Sequence, residues 1–253
     1  MKFEAPCREH LPMLWALWQE AFGDSDAFLE SFFRSAFSVS RARCALIDGK
    51  LAGALYWFDC QCNGERVAYI YAVATASAYR GQGICRALME HTHDALRKQG
   101  YIGAVLVPGD DGLFEMYRKM GYQTCGYVRE IRCDAKEGNL SLVSIDRSEY
   151  ATLRRQYLPV GGVVQERENL EFLEAQASFY RGDDFLLACQ KNERHLRGIE
   201  LLGNVEHLPQ IVHALGCETG AFRTVGQTAD RPFAMYCALQ NKPMPTYFGL
   251  AFD

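Results

Sequence analysis

Apolar residues recur with helical spacing at the start of the chain. Leu11, Leu14, Trp15, Trp18 and Phe22 repeat at the three- and four-residue intervals of one helical face. A second stripe has the same spacing and consists of Phe28, Leu29, Phe32, Phe33 and Phe37. The pattern predicts two amphipathic helices, separated by Gly23, whose apolar faces pack on a sheet or line a binding site.

The next region has the turn chemistry of antiparallel strands. Predicted strands at 42–47 and 51–58 flank Asp48-Gly-Lys50, and Asn63-Gly64 leads into a third strand at 66–73. We therefore expect a three-stranded meander. The elements predicted after it are a glycine-rich loop at 78–83, an amphipathic helix from Ile84 to Gly100, a strand at 104–107, a short helix ending at Gly121 and a strand at 122–132.

A polar, turn-rich segment at 134–139 is the best candidate for a domain boundary. It divides the chain into two predicted units, residues 1–134 and 140–253. In the second unit the patterns predict helices at 148–157, at 167–180 and from Pro209 to Gly216, and strands at 185–190, 196–202, 221–226, 232–239 and 246–252.

The two units share a short sequence similarity. Gly121-Tyr-Gln-Thr-Cys-Gly-Tyr-Val-Arg129 resembles Gly216-Cys-Glu-Thr-Gly-Ala-Phe-Arg223, and each follows a predicted short helix. Both an internal duplication and chance explain a similarity of this length. The second unit has no glycine loop before its helix, where it carries Gly203-Asn-Val-Glu-His-Leu208.

Composition excludes several classes of protein. A net charge of −4 and a pI near 5.9 argue against a nucleic-acid partner. No apolar stretch has the length of a membrane span, and the first residues do not resemble a signal peptide, so we expect a cytoplasmic protein with reduced cysteines. The ten cysteines show no paired zinc-ligand spacing, so we predict no metal.

The segment Arg80-Gly-Gln-Gly-Ile-Cys85 joins a predicted strand to an amphipathic helix. Its glycines allow close approach of a ligand, and the helix N-terminus carries partial positive charge, which suits a phosphate. The segment lacks the Gly-Lys-Ser/Thr of a Walker loop, and Arg86 replaces the last glycine of a dinucleotide fingerprint. It either binds a phosphorylated cofactor or merely caps the helix.

The run Tyr79-Arg-Gly-Gln-Gly-Ile-Cys-Arg-Ala-Leu88 resembles the cofactor motif of the GNAT N-acetyltransferase superfamily, Arg/Gln-x-x-Gly-x-Gly/Ala. Cys85 departs from the last small residue of that motif. Phe114-Glu-Met-Tyr-Arg-Lys-Met-Gly-Tyr122 is similar to the family's later leucine-tyrosine-x-lysine-x-glycine-phenylalanine signature. The resemblance covers residues 1 to about 132, and residues 140–253 would form a degenerate GNAT-like half.

The resemblance implies an α/β GNAT fold, with a mixed, mostly antiparallel twisted sheet flanked by helices and a second, smaller GNAT-like unit. It also implies that acetyl-CoA binds as acyl donor. The residues implied to bind it are Ala72, Val73 and Thr75 for the pantetheine arm, and Arg80, Gly81, Gln82, Gly83, Ile84 and Cys85 for the pyrophosphate.

The family's reaction is direct attack of an amine on the thioester, so the implied acceptor is a primary amine of a small molecule or protein. Tyr117 matches the tyrosine that protonates the leaving thiolate, although a helical tyrosine is also a common core residue. Where many relatives carry a carboxylate base, strand 66–73 presents Tyr69 and Tyr71.

The general base is therefore open. The candidates are a water chain, Asp59, Glu20, Glu65 and the carboxylate of Asp253; some two-unit relatives resembling the enhanced-intracellular-survival acetyltransferase use a terminal carboxylate. Asp59, Asp110 and Asp111 are also expected near the site, where they would attract a cationic amine. Two alternatives remain: an acyl-CoA sensor without turnover, and a nucleotide-binding module stabilised by ATP or NAD.

Overall fold

A computed structural model describes residues 1–252. Its strands are β1 Lys2–Glu4, β2 Ala42–Ile47, β3 Lys50–Cys62, β4 Glu65–Thr75, β5 Gly103–Leu106, β6 Gln123–Asp134, β7 Val143–Ile145, β8 Val164–Gln165, β9 Ser178–Arg181, β10 Phe185–Asn192, β11 His195–Gly203, β12 Thr219–Val225 and β13 Arg231–Ala238. Its helices are α1 Leu11–Phe22, α2 Asp26–Ser35, α3 Ile84–Lys98, α4 Asp111–Arg118, α5 Arg147–Tyr157, α6 Glu168–Glu174 and α7 Leu208–Ala214.

The strands form one continuous sheet. Their order is β1-β2-β3-β4-β5-β13-β6-β12-β11-β10-β9-β7, and β8 pairs with β3. Within residues 1–252 the parallel neighbours are β4 with β5 and β11 with β12, and the other pairs are antiparallel. No helix in this part of the chain has the length and apolarity needed to cross a membrane. The predicted fold class, a mixed and mostly antiparallel sheet flanked by helices, is confirmed.

Alternate residues of each strand pack on opposite faces of the sheet. On β3, Tyr56 and Phe58 contact the aromatic stripes of α1 and α2, whereas Leu55 and Trp57 belong to the core beneath α3 and α4. The same alternation continues in the second unit, where Phe185 on β10 packs in the core beneath α7. The predicted burial of the first two helices against a sheet is confirmed.

The second part of the chain completes the sheet of the first part. β13 lies between β5 and β6 and pairs antiparallel with both. β6 pairs with β13 along its first half and with β12 along its second half, and Val128 faces both strands. The chain crosses β6 at Gly226, where an added Cβ would lie 2.7 Å from the backbone of Val128. Only glycine fits this crossing.

The two units repeat one arrangement of strands. β3 and β4 are antiparallel, and α3 connects β4 to the parallel β5; β10, β11, α7 and β12 follow the same scheme. The two sequences with the short similarity lie on β6 and β12, which pair with each other. The repeat relates β12 to β5, whereas the sequence similarity relates β12 to β6, so the repeat does not support that similarity as the trace of a duplication.

Two predicted elements are wrong in extent. The helix predicted at 167–180 ends at Glu174, because Phe179 joins β9 and stacks on Tyr150 with ring centroids 4.3 Å apart. Residues 246–252 form no regular strand apart from a bridge at Tyr247. Their apolar residues are buried, but their carbonyls accept hydrogen bonds from loop and side-chain groups instead of a strand ladder.

Candidate active site

The parallel strands β4 and β5 separate after a short stretch of pairing. They pair from Val67 with Gly103 to Tyr69 with Val105, and β4 then continues to Thr75. Beyond the paired stretch, residues 70–73 of β4 and 106–109 after β5 line one cavity. The separation leaves backbone polar groups of β4 available to a ligand.

A bulge in β4 lies at this opening. Ala54 pairs with Ala74 and Tyr56 with Tyr71, so Ala72 and Val73 together face the one residue between them on β3. Ala72 has a φ of 47°, a left-handed conformation that costs a non-glycine residue about 1–3 kcal/mol. Such a bulge releases backbone groups from the strand ladder at a defined point.

The glycine loop holds the N-terminus of α3 open. Gly81 and Gly83 both have φ near 76°, and Gly83 is the N-cap of α3. An added Cβ would meet nothing within 4 Å at either position, so backbone conformation alone requires glycine there. Arg80 is held by a 3.1 Å hydrogen bond from its Nε to the carbonyl of Thr75. The exposed loop and the N-terminus of α3 therefore present N–H groups that have no partner within the helix and suit an anion.

A cleft of about 530 Å³ connects this loop to α4. We refer to it as the cofactor cleft. Of the residues predicted to bind the cofactor, those that line it are Val73, Thr75, Arg80, Gly81, Gly83, Ile84 and Cys85. Ala72 lines the adjoining cavity instead, and the Gln82 side chain turns back to donate a 3.2 Å hydrogen bond to the Ala78 carbonyl. The structure thus brings most of the predicted residues to one surface.

A second cavity of about 630 Å³ adjoins the cleft. Eight of its twenty described lining residues are aromatic, and the lining comes from α1, α2, β4, β5, α4, β13, the C-terminal segment and the connections between elements. Phe22, Val73, Leu113 and Tyr117 line both spaces, so the two spaces share these walls. We refer to it as the acceptor cavity.

Tyr117 lies where the two spaces meet. Tyr117 is only 6% exposed. Burial is the main cause that raises the pKa of its phenol above the ordinary range, and the nearby Cys85 adds to the effect. The phenol therefore stays protonated over the physiological pH range. Its ring packs edge-on against Tyr122 with centroids 5.6 Å apart, which fixes its position.

The carboxylates predicted from the sequence lie away from the acceptor cavity. Glu20 accepts a 2.6 Å hydrogen bond from the Ser77 amide, which is the main cause of the lowered pKa of its carboxyl group. Asp59 accepts a hydrogen bond from Tyr101, and Glu65 forms a 2.7 Å ion pair with Lys242.

Asp110 and Asp111 line a smaller pocket at the start of α4, which adjoins the acceptor cavity at Arg231 and Phe233. Asp253 lies outside the described residues. Within the described chain, none of the proposed carboxylate bases therefore lines the acceptor cavity.

Sequence reasoning missed Asp24 as a residue of the site. Asp24 lies between α1 and α2, and it is the one carboxylate among the described residues that line the acceptor cavity. Its Oδ2 accepts a 2.8 Å hydrogen bond from Nε1 of Trp18. No sequence motif distinguishes it from other loop carboxylates.

The C-terminal segment forms one wall of the acceptor cavity through Ala251 and Phe252. The hydroxyl of Tyr71 donates a 2.8 Å hydrogen bond to the Phe252 carbonyl, and Gln165 donates a 2.7 Å bond to the Leu250 carbonyl. A buried hydrogen-bond network earlier in the segment includes the hydroxyl of Tyr247, which donates to Glu200 at 3.1 Å.

Glu200 is fully buried and also receives bonds of 2.7 and 2.9 Å from Arg154. A buried charge is stable only when it is paired and hydrogen-bonded, and this one joins α5, β11 and the C-terminal segment. The second unit thereby holds a wall of the site in place.

The second unit has no open counterpart of this cleft among the described residues. β11 and β12 pair again after an irregularity that follows Gly198, as far as Leu201 with Thr224, and the Thr224 hydroxyl donates a 2.8 Å hydrogen bond to the Leu201 carbonyl. Residues 1–252 also contain no cluster of three His, Cys, Asp or Glu side chains suited to a metal ion.

Comparison with known proteins identifies the first part of the chain. A family model described as an acetyltransferase (GNAT) domain matches residues 7–125. N-acetyltransferase 8 of Rattus norvegicus is 35% identical over 66 residues, a match that spans 25% of this chain and 30% of that protein. The similar segment is thus less than a third of the rat protein's length.

Solved structures resemble nearly the whole chain. A GCN5-related N-acetyltransferase from Anabaena variabilis superposes with a TM-score of 0.73 at 18% identity, covering 94% of this chain and 73% of that one. A tandem GNAT protein from the clavulanic acid biosynthesis pathway gives 0.59 at 13% identity, covering 96% and 99%. At these identities the likeness concerns the fold alone, and it agrees with a two-unit arrangement.

Proposed function

Residues 7–125 belong to the GNAT acetyltransferase family, and on that premise we propose that the chain transfers an acetyl group from acetyl-CoA to a primary amine. The observation that carries the proposal is the position of Tyr117, whose protonated phenol lines both the cofactor cleft and the acceptor cavity. A proton donor at this junction is what a leaving thiolate requires.

We propose that acetyl-CoA lies in the cleft with its pyrophosphate on the loop of Gly81 to Gly83 and its pantetheine arm along Val73 and Thr75. The free N–H groups and partial positive charge at the start of α3 support the first contact. The unpaired end of β4 supports the second, because the arm's amides need backbone partners.

The reaction then has one covalent exchange. The neutral amine nitrogen attacks the thioester carbonyl, a C–N bond forms, and the C–S bond breaks as Tyr117 gives its proton to the thiolate. A bound ammonium group loses one proton to solvent before the attack, directly or through a water chain, and the nitrogen loses a second proton after the C–N bond forms. The tyrosinate is reprotonated from solvent, so one proton is released overall. Backbone N–H groups at the bulge of Ala72 and Val73 would polarise the carbonyl oxygen.

We propose residues 140–253 as a degenerate GNAT-like unit that completes the sheet and shapes the acceptor cavity. The repeated strand order supports this proposal, and the continued pairing of β11 with β12 explains why the unit would bind no second cofactor.

A calorimetric titration with acetyl-CoA, followed by assay of thiol release with a panel of amines, tests the activity. We expect binding and amine-dependent release of CoA. Binding of CoA without turnover of any amine would instead support the sensor, and stabilisation by ATP or NAD but not by CoA would support the nucleotide-binding module.

The Asp253 carboxylate remains a candidate base. Removing Asp253 alone is a cleaner test than removing Phe252 as well, because Phe252 is only 8% exposed and packs on Phe58. Unchanged kcat in the folded, shortened chain would exclude the Asp253 side-chain carboxylate as the base.

A further inference from the structure

The geometry of the acceptor cavity points to its substrate class: we infer that it takes a primary arylalkylamine, a single ammonium group on a short chain attached to an aromatic body. The inference rests on the proposed acetyl transfer and adds the identity of the acceptor. It depends on two independent features of the cavity, which are its aromatic walls and its one carboxylate.

Aromatic residues are eight of the twenty described residues that line the cavity, including Tyr69 and Tyr117. The other six are Trp18, Phe22, Phe28, Tyr71, Phe233 and Phe252. The rings contact one another, as Trp18 with Tyr71 at 5.7 Å and Tyr71 with Phe252 at 5.9 Å, so they form a rigid surface. Aromatic walls favour a flat apolar ligand through burial and through edge-to-face contacts.

Phe22 supports an apolar ligand for a separate reason. Its side chain is 47% exposed although it lies at the C-terminal end of α1, next to both the cavity and the cofactor cleft. A large aromatic side chain left open at a concave site gains free energy when an apolar ligand covers it. Hydrophilic amines such as amino sugars would leave the apolar surface of Phe22 exposed.

Asp24 supplies the position for one ammonium group. Nε1 of Trp18 donates to its Oδ2 at 2.8 Å, which orients the carboxylate and leaves Oδ1 for a ligand. Asp26, the next carboxylate along the chain, has a different role, because its Oδ1 already accepts bonds from Trp15 and Gln19. Asp24 is thus an oriented carboxylate among aromatic rings, an arrangement that binds one cation.

The charges around the cavity disfavour a second ammonium group. Asp24 is the one acidic residue among the described lining residues, and the other charged lining residue is Arg231. The acidic side chains of Asp110 and Asp111 belong to the neighbouring pocket, and Arg231 lines both spaces. A second ammonium group held inside the acceptor cavity would therefore lie in an apolar space or near the Arg231 guanidinium group.

Binding to the CoA-loaded chain tests the inference without requiring turnover. In calorimetry with 2-phenylethylamine, spermidine and neutral 2-phenylethanol, we expect 2-phenylethylamine to bind at least about tenfold more tightly than spermidine. Asp24→Asn should weaken 2-phenylethylamine binding about 10- to 100-fold and leave 2-phenylethanol unchanged, because the amide oxygen of the new side chain would still accept the Trp18 bond. Asp26→Asn is the matched control and should have no effect on either ligand.

Spermidine binding as tightly as 2-phenylethylamine, absence of 2-phenylethylamine binding, or unchanged affinity in Asp24→Asn would overturn the inference. Thiol-release assays with the same amines separate this result from the proposed function. Turnover of spermidine but not of 2-phenylethylamine would leave the acetyltransferase intact and refute the substrate class. Tight 2-phenylethylamine binding without turnover would do the reverse.

Discussion

At the scale of single residues, the environment of Tyr117 determines its chemistry. Burial keeps the phenol protonated, and contact with Tyr122 holds the ring where cofactor cleft and acceptor cavity meet. A group with a raised pKa is a poor base but a suitable donor to a thiolate that forms in the transition state. Its neighbour Tyr122 is more deeply buried and bonds to His93 at 2.8 Å, away from both spaces.

Tyr117→Phe should lower kcat by about 10²-fold or more, since positioned acids contribute about 10²- to 10⁴-fold. Acetyl-CoA affinity by calorimetry should change little. Tyr122→Phe removes the neighbouring phenol and should lower stability without a comparable loss of kcat. Equal loss of kcat in the two variants would show that Tyr117 acts through packing.

His93 predicts a pH dependence of stability. Burial lowers its pKa to about 4 from the ordinary 6.5. The unfolded chain therefore binds more protons between these pH values, so the free energy of unfolding falls as pH drops from about 6.5 to 4, by up to roughly 3 kcal/mol. Urea denaturation across this range should show the fall. His93→Gln should remove this component, whereas His213→Gln, at an exposed site, should retain it; identical pH profiles for the two variants would refute the assignment.

At the scale of elements, two glycines at the ends of helix α3 distinguish a loss of acetyl-CoA binding from a loss of stability caused by backbone strain. Gly83 at the start of α3 and Gly100 just beyond its end both have left-handed backbones, with no atom near an added Cβ. Alanine at either position should therefore cost about 1–2 kcal/mol of stability.

Only Gly83→Ala should also weaken acetyl-CoA binding, because only Gly83 lines the cofactor cleft. Denaturation and calorimetry on both variants would check this. Equal affinity for acetyl-CoA in the two variants would contradict the placement of the cofactor on the loop.

Elements with local signals could be predicted from the sequence. The strand Ala42–Ile47 agrees residue for residue, because its turns and alternation are local. The predicted strand at 246–252 is wrong, because its apolar residues fill a cavity wall without a neighbouring strand. The alternation of apolar and polar residues along the chain does not reveal whether such a neighbour exists. Asp24 was not predicted as a site residue for the same reason, because its role depends on which side chains surround it in the fold. Arg80 to Cys85 could be predicted because they form a contiguous motif.

At the scale of the whole molecule, the two units share one sheet. β13 fills the space between β5 and β6, and the buried Glu200 network fixes the segment that carries Phe252. The family model matches residues 7–125. Within that range, β5 has β13 of the second unit as a neighbouring strand. We therefore expect the chain to unfold as one cooperative body.

A chain ending at residue 134 should consequently fail to fold, since β5 and β6 would both lose their pairing with β13. Circular dichroism during thermal unfolding should show no cooperative transition for this fragment and a single transition for the full chain. A fragment that unfolds cooperatively and binds acetyl-CoA would show that the first unit is independent.

The most direct test of the proposed activity is the amine-dependent release of CoA thiol from acetyl-CoA by the full chain. The account predicts release that requires a primary amine, is fastest with 2-phenylethylamine in the panel, and falls about 10²-fold or more in Tyr117→Phe. Acetyl-CoA that binds but is released unreacted with every amine, or release that is the same in Tyr117→Phe, would contradict it.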